Sequence, residues 1–239
     1  SDDKVSGIYV AQIKDFYSGV SLVGGNEFTV ANYILCGGIA VQKYDSETNT
    51  AQGMATLEGA EFTIRNANLN DVYVNGKRYA KGEDILTLTT DEKGKASTES
   101  AVLPYGDYEA EETKAPEGYV LEGEHLKQTV TVTSQGVVVS AAPTKDRVVR
   151  GDMELHKIEH YTRRVMADVE FKITSKTTGE SHVIKTDSNG YYSTSADYAS
   201  HLATDGVWFS MDADGHTSKP DDSMGALPYD TYTIEELRC

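Results

Sequence analysis

Cysteine is nearly absent from these 239 residues: there are two, Cys36 and Cys239. Two thiols over such a length make neither a disulfide framework nor a zinc site. Proline is sparse as well, at five, and the aromatic residues are lopsided, 15 Tyr against 5 Phe and a single Trp. Thr, Val, Tyr and Gly fill the long stretches, a composition suited to strands and turns rather than helices. Cations are short: 22 Lys and Arg face 38 Asp and Glu, a net charge of −16. Nucleic acid and anionic lipid are disfavoured as partners, because like charges repel. No apolar run approaches the ~18 residues of a membrane span. No basic segment followed by an apolar core opens the chain, so no signal peptide is read there. Ser1 is not a natural start, and the expectation is a piece of a longer protein. No Ser-His-Asp or Cys-His arrangement and no glycine-rich phosphate loop is readable, which ranks an ordinary multi-turnover enzyme last. The histidines are scattered, and no helix is predicted that brings two onto one face. No metal and no cofactor is expected.

What is present is written twice. "LEGAEFTIRN" (57–66) parallels "MADVEFKITS" (166–175), and "TTDEKGKAST" (89–98) parallels "KTDSNGYYST" (185–194). "LPYGDYEAEET" parallels "LPYDTYTIEEL", and "GGIAVQK" (37–43) parallels "GDMELHK" (151–157). Four blocks in one order mean two homologous units, 37–150 and 151–239. The blocks read as period-two strands and as turns such as "DEKG" and "DSNG". "QTVTVTSQGVVVS" (128–140) reads as two β-rich runs around a Gln-Gly turn. No segment of about 12 residues carries a helical period. The expected fold class is all-β, tandem β-sandwiches with few or no helices. Residues 66–84 are expected to form a hairpin that turns at Asn75-Gly76. The polar insert 195–222 of the second unit is expected to hold one helical turn and a loop.

Strand parity then singles out charges. Side chains alternate across a strand, so Tyr108, Ala110 and Glu112 share a face, as do Ile39, Val41 and Lys43. In the second unit the same count groups Tyr232, Ile234 and Glu236, and Met153, Leu155 and Lys157. Each unit thus aims one lysine and one glutamate at its core. Buried charges are costly unless paired. One reading is a structural Lys–Glu ion pair, or strand ends where both groups reach water. The other is chemical, because a dry site favours a neutral amine and a protonated carboxyl.

At these residues the chain resembles the Cna B-type, or SpaA-like, domains of Gram-positive pilins and wall-anchored adhesins. The resemblance rests on a "V-x-K-x-D" strand followed by "LPYGDYEAEETKAPEGY" (103–119). It covers 37–150 fully and 151–239 in part. It implies a prealbumin-like sandwich and an intramolecular isopeptide bond, between a first-strand lysine and an Asn or Asp on the last strand, promoted by a mid-strand glutamate. Carried over, Lys43 is the nucleophile and Glu112 the proton shuttle. Asp146 is the acceptor, being the one Asx between Asp107 and Asp152. Lys157 and Glu236 are the equivalents in the second unit, which ends before a last strand. Asn32, five residues before Gly37 as Asp146 is before Gly151, marks 1–36 as closing strands of a truncated preceding unit.

The function so implied is structural: self-crosslinked stalk domains of an extracellular, wall-anchored protein whose partners are its neighbouring domains. The alternative is an adhesin module that uses 195–222 to bind a host protein or glycan. A further expectation is strand exchange between copies. The Asn32 strand of one molecule would complete the second unit of another, and Cys36 would meet Cys239 in a disulfide. "SMDADG" with Asp221 imitates part of a calcium loop through Ser210, Asp212, Asp214 and Gly215, but an acidic loop is the usual meaning. Trp208 and Phe209 are either an exposed recognition patch or the anchor of a long loop, the latter being commoner.

Overall fold

Period-two alternation, punctuated by Asp, Asn and Gly, favours strands joined by tight turns. The computed structural model contains 21 strands and no helix among the described residues. Backbone placement is described for residues 18–23 and 27–238, and side chains for 33–237. The chain divides into two compact units, one ending at Leu35 and one starting at Cys36. In the first, β1 (Ser18–Val23) and β2 (Glu27–Asn32) form an antiparallel pair.

The second unit has two lobes, each with its own core. The first lobe contains β3 (Cys36–Asp45), β4 (Glu61–Asn66), β5 (Val72–Val74), β6 (Lys77–Tyr79), β7 (Asp84–Thr89) and β8 (Lys95–Ser97). It continues with β9 (Leu103–Pro104), β10 (Gly106–Lys114), β11 (Tyr119–Glu124), β12 (Lys127–Val132), β13 (Val138–Ser140) and β14 (Thr144–Val148). A four-stranded sheet, β12-β10-β4-β7, faces a sheet in the order β11-β14-β3-β13, to which β8 and β9 add on β3. Ile39 and Val41 from β3 pack with Phe62, Ile64, Tyr108, Ala110 and Val132 between the sheets. The hairpin β5–β6 turns at Asn75 and Gly76, both at positive φ, 51° and 79°. That is the mirror-image turn whose twist matches the strands. The two runs in 128–140 part company, because β12 pairs with β10 while β13 pairs parallel to β3 in the opposite sheet.

The second lobe contains β15 (Arg150–Gly151), β16 (Glu154–His156), β17 (Glu170–Ser175), β18 (Ser181–Lys185), β19 (Tyr191–Ser193), β20 (Leu227–Pro228) and β21 (Tyr232–Arg238). Its main sheet has the order β18-β17-β21. The insert 195–222 makes one helical turn, closed by the Ala199 amide on the Ser195 carbonyl, and otherwise forms loop. Its Trp208 and Phe209 are buried at 7% and 1% exposure, so the pair anchors the loop to the core.

The written repeat is also a repeat of hydrogen bonds. Tyr108 donates its hydroxyl to the Pro104 carbonyl at 2.7 Å, and Tyr232 to Pro228 at 2.8 Å. Each "LPYxxY" motif thus satisfies the polar end of its second tyrosine, which is buried in the first lobe and half-buried in the second. Thr90 bonds to Leu57 and Ala60 as Thr186 does to Met166 and Val169. The Lys43 amide donates to Gly94 and the Lys157 amide to Gly190, both at 2.7 Å. Lys157 is therefore the structural counterpart of Lys43.

The lobes differ where parity gave the same expectation for both. Ile39, Val41 and Lys43 are inside, as are Tyr108, Ala110 and Glu112. Glu236 and Ile234 are not buried: Ile234 is 48% exposed, on the same β21 face as the half-buried Tyr232. In the first lobe β10 is flanked by β12 and β4, whereas β21 pairs with β17 alone among the described residues. Alternation assigns a face; a second layer must cover it before that face is dry.

Candidate functional site

Three charged side chains meet in the first lobe. Lys43 lies near the C-terminal end of β3, Asp146 on the adjacent parallel strand β14, and Glu112 on β10 of the facing sheet. Lys43 Nζ is 2.7 Å from Asp146 Oδ2 and 3.3 Å from Glu112 Oε2, and all three side chains have no exposed surface. These contacts meet the ion-pair distance, yet none of the five charged atoms has a well-formed hydrogen bond to any group outside the trio. Backbone amides and hydroxyls satisfy a stable buried charge; here each charge has only the other two.

The electrostatics follow from that isolation. Burial pushes the Glu112 carboxyl up to about 7; the Lys43 ammonium opposes this and the neighbouring Asp146 carboxylate adds to it. Asp146 is also raised, by burial first, against the pull of Lys43. A carboxyl raised to about 7 thus lies beside Lys43 Nζ, which has the Asp146 carboxyl 2.7 Å away on its other side. The arrangement contains an acid that can donate and return a proton, a nucleophile, and an acyl centre.

Around the trio stand groups that parity did not single out. Tyr119 is 7% exposed, and its ring centre is 5.8 Å from Lys43 Nζ. Its hydroxyl donates to Asp45 Oδ2 at 2.9 Å. Asp45 is fully buried and also accepts from the amides of Glu47 and Thr48 and from Gln52. Burial raises its pKa against those donors. Unlike Asp146, it is saturated with donors and makes a poor electrophile. Asp45 falls on the Ile39, Val41, Lys43 face by the same alternation, so a longer count along β3 finds it. Tyr119 and Gln52 carry no such signal, because a turn and a loop place them.

The remaining expected residues fall elsewhere. Lys157 Nζ meets Glu236 Oε2 at 2.9 Å, with side chains 23% and 31% exposed. The second lobe thus brings the two expected residues together without the dryness of the first. Asn32 ends β2, and its side chain lies outside the described residues. Cys36 begins β3, where its amide donates to Gln135 Oε1; Cys239 lies outside the described residues. Asp212 spends its carboxylate on the Asp214 and His216 amides, the His216 ring and the Thr50 hydroxyl. Asp221 spends its own on Ser223. These bonds shape the loop that carries both carboxylates.

Residues 37–146 match the SpaA prealbumin-like fold domain. No curated protein matches the chain. Among solved structures, the Bacillus anthracis TIE protein is 22% identical, with 89% of this chain and 30% of that one covered and a TM-score of 0.53. A streptococcal ancillary pilin is 19% identical, covering 66% of this chain and 49% of its own, at a TM-score of 0.36. The shaft pilin spaA from Lactobacillus rhamnosus GG is 15% identical, covering 66% and 81%, at 0.35. The chain therefore spans about a third of the first of these proteins and half of the second. At 22% identity the first likeness speaks for the fold alone.

Proposed function

We propose that this chain, whose residues 37–146 form a SpaA prealbumin-like fold domain, is a structural segment of a Gram-positive cell-surface protein of the stalk or pilus kind, strengthened by an amide between Lys43 and Asp146. The observation that carries this reading is the dry trio, with amine and acceptor carboxyl 2.7 Å apart and a raised Glu112 beside them. The family match supports the surface setting, and the chemistry below supports the crosslink.

Without water to solvate either ion, a proton passes from the Lys43 ammonium to a carboxylate of the trio. The neutral Nζ attacks Asp146 Cγ and the N–C bond forms. Protonated Glu112 donates a hydrogen bond to the carboxyl oxygen that gains charge, then passes its proton to the departing hydroxyl. The C–O bond breaks, one water leaves, and the nitrogen returns a proton to Glu112. Amine and acid become amide and water, and Glu112 ends as it began. Fixed proximity supplies the drive, as in intramolecular reactions with very high effective concentrations. Each molecule reacts once, so the chain is its own substrate and turns over nothing else.

The test is an intact mass. The folded protein is expected to be lighter than its sequence by one water, with a branched peptide joining Lys43 to Asp146 after digestion. A folded protein at full mass overturns the reading.

A further inference from the structure

The crosslink needs β3 and β14 in one register, yet their shared ladder is short. It has three residue pairs: Thr144 with Lys43, Lys145 with Tyr44, and Asp146 with Asp45. A slip of one residue would turn either reactive side chain to the opposite face. A buried charge pair stands just beyond. Glu47 follows Lys43 by four positions and Arg150 follows Asp146 by four. Arg150 Nη2 approaches Glu47 Oε2 at 2.6 Å and its Nε approaches Oε1 at 3.0 Å, a two-pronged pair with side chains 1% and 9% exposed.

The other donors of Arg150 are also placed. Nη2 donates to Gln52 Oε1 at 3.1 Å, and Nη1 donates to the carbonyls of Phe209 at 2.9 Å and Ala226 at 3.2 Å. The guanidinium lies 3.9 Å from the centre of the Trp208 ring. All five N–H groups thus have acceptors, two residues on the first lobe and two carbonyls on the second. A planar fork held this way fixes orientation as well as charge, which a flexible ammonium does not. Gln52 continues the path inward, donating to Asp45 at 3.2 Å, and Asp45 holds the Tyr119 ring that faces Lys43.

We infer that Arg150 is a positioning residue for the crosslinking reaction. It pins the register of β3 against β14 through Glu47, and the second lobe, through Trp208 and the Phe209 and Ala226 carbonyls, keeps its guanidinium in place. The insert 195–222 is on this account a brace for the first lobe's chemistry rather than a loop for an outside ligand. The inference rests on the crosslink reading above, and the two fail separately.

The full chain, recovered unfolded and unreacted from inclusion bodies, is refolded and sampled over time by intact mass, with circular dichroism giving the folded fraction. Arg150→Met is expected to slow water loss per folded chain by about tenfold or more, since misplacement by about 1 Å can cost ~100-fold. Arg150→Lys should recover part of the rate, and Trp208→Leu should slow it by a few fold while keeping the ion pair. A residue that only adds stability would lower the folded fraction and leave the rate per folded chain alone. An unchanged rate in folded Arg150→Met overturns the inference; if that variant does not fold, an unchanged rate in both Arg150→Lys and Trp208→Leu does so. Unsubstituted protein that folds at full mass removes the crosslink itself, and this inference with it.

Discussion

Burial changes the chemistry of Glu112. Its proton is held more tightly in the folded chain, up to about 7, than at the ordinary value of 4.5. Its contribution to the stability of unreacted protein is therefore fully present below about 4.5 and is lost as pH rises through about 7. The proposed reaction uses the same proton, so crosslinking per folded chain should slow above pH 7, by about tenfold per unit once Glu112 is mostly ionised. A rate that climbs steadily from pH 6 to 9 would contradict this. Glu112→Ala should fold, because the apolar core does not depend on it, but keep its full mass and melt at a lower temperature. Lys43→Met removes the cation that meets two buried carboxyls. It should be destabilising by about 3–5 kcal/mol at pH 8, the usual cost of stranding a buried charge, and less so at pH 5, where Glu112 takes up a proton. Urea unfolding at the two pH values measures the difference.

At the scale of elements, what counts is how turns and short ladders deliver these residues. The turn before β11 brings Tyr119 to the site, and it depends on Gly118 at φ 85°. A Cβ there would lie 2.6 Å from Ala55 Cβ and 2.8 Å from the Tyr229 ring. Gly76, at φ 79° in the β5–β6 turn, faces open space. Gly76→Ala should cost about 1 kcal/mol for backbone strain alone, whereas Gly118→Ala should cost about 2–4 kcal/mol, because strain and overpacking add. Denaturant midpoints of the two variants, both made on Glu112→Ala to avoid the crosslink, give the comparison. Equal costs would mean that the close packing at Gly118 is not felt.

For the whole molecule, the amide would close most of the first lobe, from Lys43 to Asp146, into one loop. Entropy accounts of crosslinks over loops of about 100 residues give about 4–5 kcal/mol. The geometry also has a direct signature. Lys77 and Arg78 in the β5–β6 hairpin are exposed and lie inside that loop. Limited trypsin cleavage there should leave both fragments joined on a reducing denaturing gel, whereas the same nick in Glu112→Ala should release two bands. Separate bands from unsubstituted protein would rule out a covalent link between β3 and β14. The lobes are also tied to each other: Tyr229 packs with Ala55, Leu57, Tyr119 and Val148, and its hydroxyl donates to Glu117 at 2.8 Å.

The sequence by itself determined the strands, the duplicated turns and the face on which each charge falls. These depend on local rules: period-two alternation, Asp-x-x-Gly turns and an Asn-Gly hairpin. They were enough to aim Lys43 and Glu112 inward and to pair Lys157 with Glu236. Only the tertiary structure decided how dry each pair is, because dryness depends on a second layer covering the face, which β14 and the facing sheet provide for Lys43 and no described strand provides for Glu236. It alone also decided that Trp208 lies against Arg150, and that Gln52 and Tyr119 meet at Asp45. Those contacts join residues far apart along the chain, from loops and turns whose composition carries no period, and packing rather than pattern brings them together.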